Sequence, residues 1–301
     1  MKSPLHVLRF AAIVSLISGI FPAGLAAQTP VPASCNFTTF TLADSLPQGD
    51  FVLGINKFST TVGAFENTDT STDAFIRYSG GHLNFFAPGA EPTWINARND
   101  AGESVGVEDT VPNPISFLLH GTSGVTSIIH PNAVKGTFAQ GLNKWDSVVG
   151  YYLDANNMAH GFKQWSNGSF DDVNYPNALQ TIPMGINDSG AIAGSYVDSL
   201  GTHGFIFANG NWKSIDYPTV AVGKTMLNGI SNANTAVGLT NAIPPGTSFL
   251  YFSNGVYKSV SVPKSAGGTF ANGIATNGLI AGDYYLSSDK TSQHGFIAQC
   301  Q

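Results

Sequence analysis

Short apolar segments separated by turn-forming residues recur along most of the chain. In the clearest stretch, segments at 182–187, 191–197, 204–208 and 211–217 are separated by Asn, Asp, Ser and Gly. Segments this short, rich in β-branched and aromatic residues, predict four strands rather than helices. Asn209-Gly210 predicts a tight hairpin between the third and fourth strands. Pro218 ends the pairing, because proline has no N–H to donate to a neighbouring strand.

The same four-strand pattern repeats about six times. One apolar residue near the first turn of each unit serves as a phase marker: Ile55, Ile95, Leu142, Ile186, Ile230 and Ile274. Their spacings of 40, 47, 44, 44 and 44 residues indicate that insertions are confined to the early units. A period of about 40–45 residues with four strands per unit is typical of a propeller blade. We therefore predict an all-β, six-bladed propeller with four antiparallel strands per blade, and a five- or seven-bladed ring as the alternative.

The two ends of the chain resemble complementary parts of one unit. The last unit stops after three strands, at Cys300, whereas the segment from Cys35 resembles a fourth strand. We expect this N-terminal strand to pair with the three C-terminal strands and close the ring, which removes free sheet edges. Cys35 and Cys300 then fall where other blades carry an Asn-Gly turn. This predicts a Cys35–Cys300 disulfide, which by chain entropy stabilises the fold by at most about 5 kcal/mol.

The N-terminal 27 residues have the pattern of a secretory signal. Lys2 and Arg9 form a basic start, an apolar run covers 10–21, and Ala26 and Ala27 precede the expected cleavage site. The run is too short to span a bilayer. We predict a signal peptide at 1–27, a single domain at 28–301, and a soluble protein that is secreted or periplasmic, without a membrane span.

The charge of the mature chain argues against one class of partner. Eleven basic and 19 acidic residues remain after removal of the predicted signal, a net charge of −8. Binding to nucleic acid without sequence preference requires clustered Lys and Arg to neutralise phosphates. We therefore expect no nucleic-acid partner, and we expect a monomer.

A three-residue element near the third strand carries a family resemblance. It reads His160-Gly161-Phe162, His203-Gly204-Phe205 and His294-Gly295-Phe296, and it degrades to Asp73-Ala74-Phe75, Ile115-Ser116-Phe117 and Thr247-Ser248-Phe249. With the repeated Gly-Ile-Asn and Gly-x-Tyr elements, it resembles the repeat of the extracellular HAF family, named for a His-Ala-Phe element. The resemblance covers nearly the whole mature chain. It implies a secreted, propeller-like repeat protein and brings no established activity or catalytic residue.

Residues that recur in the repeat favour structural roles. His160, His203 and His294 share one position, and so do the aromatic residues Phe65, Tyr152, Tyr196 and Tyr284. A side chain needed in several blades most often makes a local hydrogen bond or fills the space between blades. The sequence also lacks the spacing of a dedicated transition-metal site. We expect no metal and no cofactor.

Residues that break the repeat are the better functional candidates. They are Glu66, Glu91, Glu108, Asp109, Asp283 and Trp145. The acids fall near the ends of second strands, except Glu91, which lies in a fourth-to-first-strand connection. Both kinds of connection emerge at the same end of a propeller, where carboxylates could form an acid–base pair or hold calcium. The alternative is that they are solvated loop charges. Trp145 could stack on a sugar ring.

These residues leave three functions open. We favour a secreted binding module for a glycan or a cell-envelope component, using the second-to-third and fourth-to-first loops. One alternative is a hydrolase or lyase acting on a carbohydrate or lactone, with carboxylates at the channel mouth. Two of the acids within about 10 Å of each other beside a pocket would favour this enzyme. The other alternative is a passive extracellular structural protein.

Overall fold

The computed structural model describes residues 30–42, 50–66, 72–86, 93–110, 112–240, 247–286 and 293–301. Within these ranges the chain forms 25 β-strands in six sheets. Neighbouring sheets pack face to face in sequence order, and the last packs against the first, so the sheets close into a ring. The predicted signal peptide lies outside the described residues.

Each sheet is one blade, and its first strand in the order of the repeat lies nearest the axis. Blade 1 comprises β3 (Asp50–Ile55), β4 (Thr61–Glu66), β5 (Thr72–Arg77) and β6 (Leu83–Phe86). Blade 2 comprises β7 (Thr93–Arg98), β8 (Ser104–Glu108), β9 (Ile115–His120) and β10 (Gly124–Ile128). Blade 3 comprises β11 (Thr137–Leu142), β12 (Val148–Leu153), β13 (Ala159–Gln164) and β14 (Phe170–Asp172).

The remaining blades follow the same order. Blade 4 comprises β15 (Gln180–Ile186), β16 (Ile192–Asp198), β17 (Gly201–Ala208) and β18 (Asn211–Ile215). Blade 5 comprises β19 (Thr225–Ile230), β20 (Ala236–Thr240), β21 (Ser248–Tyr251) and β22 (Tyr257–Val260). Blade 6 comprises β23 (Thr269–Ile274), β24 (Leu279–Tyr285), β25 (Gln293–Cys300) and, as its outer strand, β2 (Cys35–Phe40). The fold is thus the predicted six-bladed propeller rather than a five- or seven-bladed ring.

Ring closure confirms the predicted split blade. β2 pairs antiparallel with β25, and Cys35 lies directly opposite Cys300. The two cysteines form the predicted disulfide. One element was not foreseen: β1 (Val31–Pro32) pairs parallel with β22 and adds a short fifth strand to the outer edge of blade 5. The N-terminal segment therefore touches two consecutive blades.

One phase marker of the sequence analysis is wrong. Each innermost strand has a β-bulge, and in blade 2 the bulge falls between Ile95 and Ala97. In blade 1 it falls between Val52 and Gly54, so the residue equivalent to Ile55 is Arg98, not Ile95. With Arg98 as marker the spacings become 43, 44, 44, 44 and 44 residues. The apparent early insertions therefore do not exist at this position, and a buried arginine takes the place of an aliphatic core residue.

A glycine–phenylalanine pair forms the core of every blade. The second-strand glycine of each blade lies directly opposite the phenylalanine of its third strand: Gly63–Phe75, Gly106–Phe117, Gly150–Phe162, Gly194–Phe205, Gly238–Phe249 and Gly282–Phe296. All six phenylalanines are buried. A Cβ on Gly194 would lie 2.9 Å from the ring of Phe205 and 2.8 Å from the Cα of Pro183. The glycine is therefore required because strand backbone and aromatic ring approach closely there.

The Asn-Gly hairpin was predicted correctly. Asn209 and Gly210 have φ angles of 51° and 75°. Both lie in the left-handed region, which tight two-residue hairpins require and which Asn and Gly tolerate best. The predicted strands of blade 4 differ from the observed ones by only a few residues at their ends.

Candidate functional site

The ring has two chemically different ends. The connections between first and second strands, and between third and fourth strands, lie at one end, which we call the turn face. The connections between second and third strands, and from one blade to the next, lie at the other end, which we call the loop face. This assignment follows from the antiparallel strand order of every blade.

On the turn face, asparagines link consecutive blades. The side chain of Asn143 donates from Nδ2 to the carbonyl of Asn187 at 3.2 Å. Asn187 donates to the carbonyl of Ser231 at 2.9 Å, and its Oδ1 accepts from the backbone N–H groups of Ser189 and Ala191. Asn56 and Asn99 make equivalent interblade bonds. Each asparagine thus closes its own turn and holds the next blade, so the recurrent Gly-Ile-Asn element is structural.

The position after these asparagines forms a polar ring around the axis. In blades 5 and 6, Ser231 and Ala275 replace the asparagine; the position that follows is occupied by Lys57, Asp100, Lys144, Asp188, Asn232 and Thr276. Asp100 accepts from the N–H of Lys57 at 2.9 Å and from the hydroxyl of Thr276 at 2.8 Å. Asp188 accepts from the N–H of Lys144 at 3.1 Å and from the amide of Asn232 at 2.8 Å. The carboxylates in this ring are therefore already supplied with donors.

An axial cavity of 70 Å³ lies between the innermost strands of all six blades. It is far smaller than the about 300–1,000 Å³ of typical ligand pockets. Inner-strand glycines bring the blades together here: a Cβ on Gly141 would lie 2.8 Å from the Cα of Gly185. The channel can hold a few water molecules, so any larger ligand must bind at an end of the ring.

Trp145 lies on the turn face of blade 3 and is held in place although its side chain is exposed. The residue is 61% exposed. Its indole N–H donates to the carbonyl of Asp188 at 3.1 Å, and the ammonium of Lys144 lies 4.6 Å from the ring centroid. The hydrogen bond ties the indole to the next blade. An exposed ring with a fixed orientation is suited to stacking on a ligand with little loss of conformational entropy.

Two further exposed aromatic residues share this end of the ring. Phe58, in the corresponding turn of blade 1, is 57% exposed, and Lys57 lies over its ring. Trp165, at the end of β13, donates its indole N–H to Asp171 Oδ2 at 2.7 Å. Sequence reasoning did not select Phe58 or Trp165. The signal was present for Phe58, because it occupies the same repeat position as Trp145.

Blade 2 carries charged groups at the same end. The guanidinium of Arg98 donates to Ser104 Oγ at 2.7 Å and to the carbonyl of Gly121 at 3.2 Å. Burial lowers the pKa of Arg98, and the nearby Tyr78 and Glu103 oppose this effect. His120 pairs with Glu103. The arginine replaces a core aliphatic residue and is stabilised by hydrogen bonds within its own blade.

The predicted acids lie at the opposite end from Trp145. Glu66, Glu108 and Asp283 lie near the loop-face ends of the second strands of blades 1, 2 and 6, which are consecutive in the ring. Asp109 follows Glu108, and Glu91 lies outside the described residues. The structure therefore separates Trp145 from the acids, and they do not form one site. Glu66, Glu108, Asp109 and Asp283 are not among the residues that line the axial cavity, whose acids are Asp100 and Asp188.

Asp283 is the most buried of these acids. It is 5% exposed, and its two carboxylate oxygens accept from Asn272 Nδ2 at 2.8 Å and Gln293 Nε2 at 2.9 Å. Asn272 also donates to the carbonyl of Val52 in blade 1. Burial, followed by the charge of Asp283, raises the pKa of Tyr285 to about 12. Asp283 is thus part of a hydrogen-bonded contact between blades 6 and 1.

The recurrent histidines make the expected local hydrogen bonds on the loop face. His203 is buried, with Nδ1 2.9 Å from Asp216 Oδ1 and Nε2 3.2 Å from Asp198 Oδ1. Burial lowers the pKa of His203, but the bond and charge of Asp216 and the proximity of Asp198 outweigh it, so the pKa is raised. His160 pairs with Asp154, and His294 bonds Thr41. The recurrent aromatic residues Phe65, Tyr152, Tyr196 and Tyr284 are buried in the core, as predicted.

An open depression of 350 Å³ lies on the loop face between blades 3 and 4. His160, Asn174 and Gln180 contribute to its wall. The side-chain oxygens of Asn174 and Gln180 already accept backbone N–H groups, from Gly161 and Ala159 respectively. The predicted acids do not line it. Its polar groups serve the loop conformation.

Two general features of the described residues bear on function. Across these ranges, no three residues among His, Cys, Asp and Glu are grouped so as to hold a metal ion. Over the same part of the chain, no helix is long and apolar enough to cross a membrane.

Solved structures with the same fold differ widely in function. A streptogramin B lyase matches with a TM-score of 0.52 and 11% identity, over 89% of this chain and 98% of that chain. TolB from Acinetobacter baumannii matches with a TM-score of 0.56 and 14% identity, over 80% of this chain and 64% of that chain. A luciferin-regenerating enzyme matches with a TM-score of 0.51 and 9% identity, over 88% and 95%. At such identities the likeness establishes the propeller fold alone.

The sequence comparisons found no relative of this protein. No family model and no curated protein matches the chain. The protein belongs to the class of six-bladed propellers. The residues on its own surface are the basis for inferring its function.

Proposed function

We propose that this protein is an exported binding module that recognises a glycan on its turn face. The observation that carries the proposal is Trp145, an exposed indole whose orientation is fixed by a hydrogen bond to the next blade. Stacking of a sugar on an aromatic face needs an accessible ring, and a ring already held in place loses little entropy on binding. Among the described residues of the loop face, which the sequence favoured, the exposed side chains include the aliphatic Leu179 and Leu200.

Export is part of the same proposal. The Cys35–Cys300 disulfide supports it, because such bonds persist in oxidising compartments. Membership of the HAF family is likewise proposed, from the recurring third-strand element and its phenylalanine in all six blades.

The test compares two variants with similar exposure at opposite ends of the ring. Trp145 is 61% exposed on the turn face, and Leu179 is 59% exposed on the loop face. The wild-type protein, Trp145→Ala and Leu179→Ala are applied to a glycan array, and the dissociation constants of bound glycans are measured by calorimetry. We expect Trp145→Ala to weaken binding at least about tenfold, taking for a sugar the order of 1–3 kcal/mol that a nucleobase stacked on an aromatic side chain contributes. Leu179→Ala should bind as wild type.

Other results would support the alternative functions. If Leu179→Ala weakened glycan binding and Trp145→Ala did not, the site would lie on the loop face. Conversion of a bound glycan or a lactone, lost in Glu108→Gln, would favour the hydrolase or lyase. No binding to any glycan would contradict the proposal and favour a passive structural protein.

A further inference from the structure

The exposed aromatic residues of the turn face share an unusual feature. A lysine ammonium lies over each of the three rings: Lys57 over Phe58 at 4.9 Å, Lys144 over Trp145 at 4.6 Å and Lys163 over Trp165 at 3.2 Å. Lys258 also lies 5.5 Å from the ring of Phe252, which follows β21 on the same face. Aromatic faces and ammonium groups therefore occur together at this end of the ring, and two of the contacts lie in blade 3.

The two tryptophans lie on the same blade tip. β12 and β13 are adjacent, with Val148 opposite Gln164. Trp145 precedes β12 by a few residues, and Trp165 follows β13 directly. The turns that carry them therefore lie side by side, with Trp145 nearer the axis and Trp165 further out. Such a radial row can accept consecutive units of a chain-like ligand.

The polar edges of both indoles are already occupied. Trp145 donates to the carbonyl of Asp188, and Trp165 donates to Asp171. Their N–H groups are therefore not free for a ligand, and their exposed surfaces are the apolar ring faces. Recognition of polar groups at this tip must come from neighbouring side chains, which include Lys144 and Lys163 and the carboxylates of Asp171 and Asp188.

Each lysine retains donors for a ligand, because an ammonium has three N–H groups. Lys144 forms a salt bridge with Asp188 Oδ2 at 3.8 Å, and the Asp188 carboxylate also accepts from the N–H of Lys144 and from Asn232. Asp171 accepts from the indole of Trp165. Burial lowers the pKa of Lys163 although Asp171 opposes this. A partly desolvated ammonium gains from pairing with an anion.

We propose that the ligand of this site is an acidic oligosaccharide whose sugar carboxylates pair with Lys144 and Lys163 while its rings stack on Trp145 and Trp165. This rests on the proposed glycan-binding function and specifies its ligand class. A carboxylate on the sugar supplies the charge-assisted hydrogen bond that the lysines can make. The sugar ring supplies the apolar face that the indoles can cover.

The experiment compares charged and neutral forms of the same sugars. Oligomers of galacturonic and mannuronic acid, and their methyl esters, are titrated into the wild-type protein at low and high salt. We expect the acids to bind at least about tenfold more tightly than the esters at low salt, and the difference to shrink at high salt because screening weakens exposed charge pairs. Lys144→Gln with Lys163→Gln should remove the preference, so that the acids bind no more tightly than the esters at low salt.

Lys224→Gln on the loop face is the matched control, and it should retain the preference. Melting temperatures of all variants confirm folding. Equal binding of acids and esters, or binding of neutral array glycans only, would overturn the acidic ligand and leave the glycan-binding function intact. Binding of no glycan of either kind would overturn both. A preference for the acid that survives the double lysine variant would place the carboxylate elsewhere and overturn this assignment.

Discussion

The two ends of the ring are built from the same repeat but stabilise the protein in different ways. On the turn face, asparagines of blades 1 to 4 reach to the next blade, and a disulfide replaces the last hairpin. On the loop face, histidines pair with residues of their own blade. The comparison shows that recurrent polar residues at both ends are bonded within the scaffold, although Nε2 of His294 is buried without a hydrogen-bond partner. Among the described residues of the turn face, two exposed indoles held by hydrogen bonds lie in blade 3, and the exposed ring of Phe58 lies in blade 1.

Of the changes that test the difference between the two ends, removal of the turn-face disulfide should reduce the free energy of unfolding most. Cys35→Ser with Cys300→Ser opens a loop with a sequence separation of 265 residues. We expect the free energy of unfolding to fall by about 2–5 kcal/mol, because the unfolded chain regains loop-closure entropy. Urea titration monitored by near-UV circular dichroism measures the loss. Wild-type protein under reducing conditions should behave like the variant, and an unchanged midpoint in both would show that blade 6 closes by strand pairing alone.

The next largest loss of unfolding free energy is expected when an interblade asparagine of the turn face is replaced. Asn187→Ala leaves two backbone donors, Ser189 and Ala191, and the carbonyl of Ser231 without this partner, and each such group costs about 1–3 kcal/mol where it is buried. We expect a loss of about 3 kcal/mol, measured by urea unfolding. Asn211→Ala, in an exposed hairpin, is the control and should cost less than about 0.5 kcal/mol. Similar losses in the two variants would contradict a special role for the turn-face asparagines.

On the loop face, His203 should make the free energy of unfolding depend on pH. The pKa of His203 is raised in the folded state, so the folded protein binds the proton more tightly than the unfolded chain. The resulting stabilisation is fully present below the unfolded pKa of about 6.5. It is lost as the pH rises through the folded value. We expect the free energy of unfolding to fall from pH 6 upward, and the slope to be smaller in Asp216→Asn, which removes the closer carboxylate.

Thermal unfolding over a pH series measures this slope. Asp171→Asn, whose carboxylate bonds an exposed indole on the turn face, is the control with an unchanged slope at these pH values. A slope in Asp216→Asn as steep as in wild type would show that His203 is not the group responsible.

The smallest effect on stability is expected at the proposed site. Trp145→Ala removes an exposed side chain whose main contacts are one hydrogen bond and one lysine. We expect the free energy of unfolding to change by no more than about 0.5–1 kcal/mol, measured as above, while glycan binding is lost. A loss of several kcal/mol would show that Trp145 belongs to the scaffold, like the recurrent asparagines.

The sequence periodicity predicts the architecture correctly, because each unit of the repeat makes the same buried contacts. The phenylalanine in all six units, the Asn-Gly hairpin and the two complementary ends predict six blades and the disulfide. The register of blade 2 was missed because its Gly-Ile-Asn element reads Ala97-Arg98-Asn99. Ile95-Asn96, three residues earlier, has the same Ile-Asn pair, so the pattern selects it as the marker. The bulge lies at the equivalent position of all six blades and does not cause the error.

The candidate site was predicted only in part. Trp145 was selected because it breaks the repeat, but it was grouped with acids that lie at the opposite end of the ring. The repeat already places Trp145 on the turn face: Leu142 ends the first strand of its unit, so Trp145, three residues later, lies in the connection to the second strand. Its hydrogen bond to Asp188 and the lysines over the indoles could not be predicted, because they join side chains whose orientations depend on packing between neighbouring turns.

The split blade also dictates an order of events during synthesis. β2 leaves the ribosome among the first strands, whereas its partner β25 leaves last. β2 therefore remains unpaired until the rest of the ring, including β25, has been synthesised. An interrupted chain that lacks β25 exposes the inner edge of β2 and an open sheet in blade 6. We expect such products to be cleared by proteolysis, so that completion of the chain itself acts as the quality check on the ring.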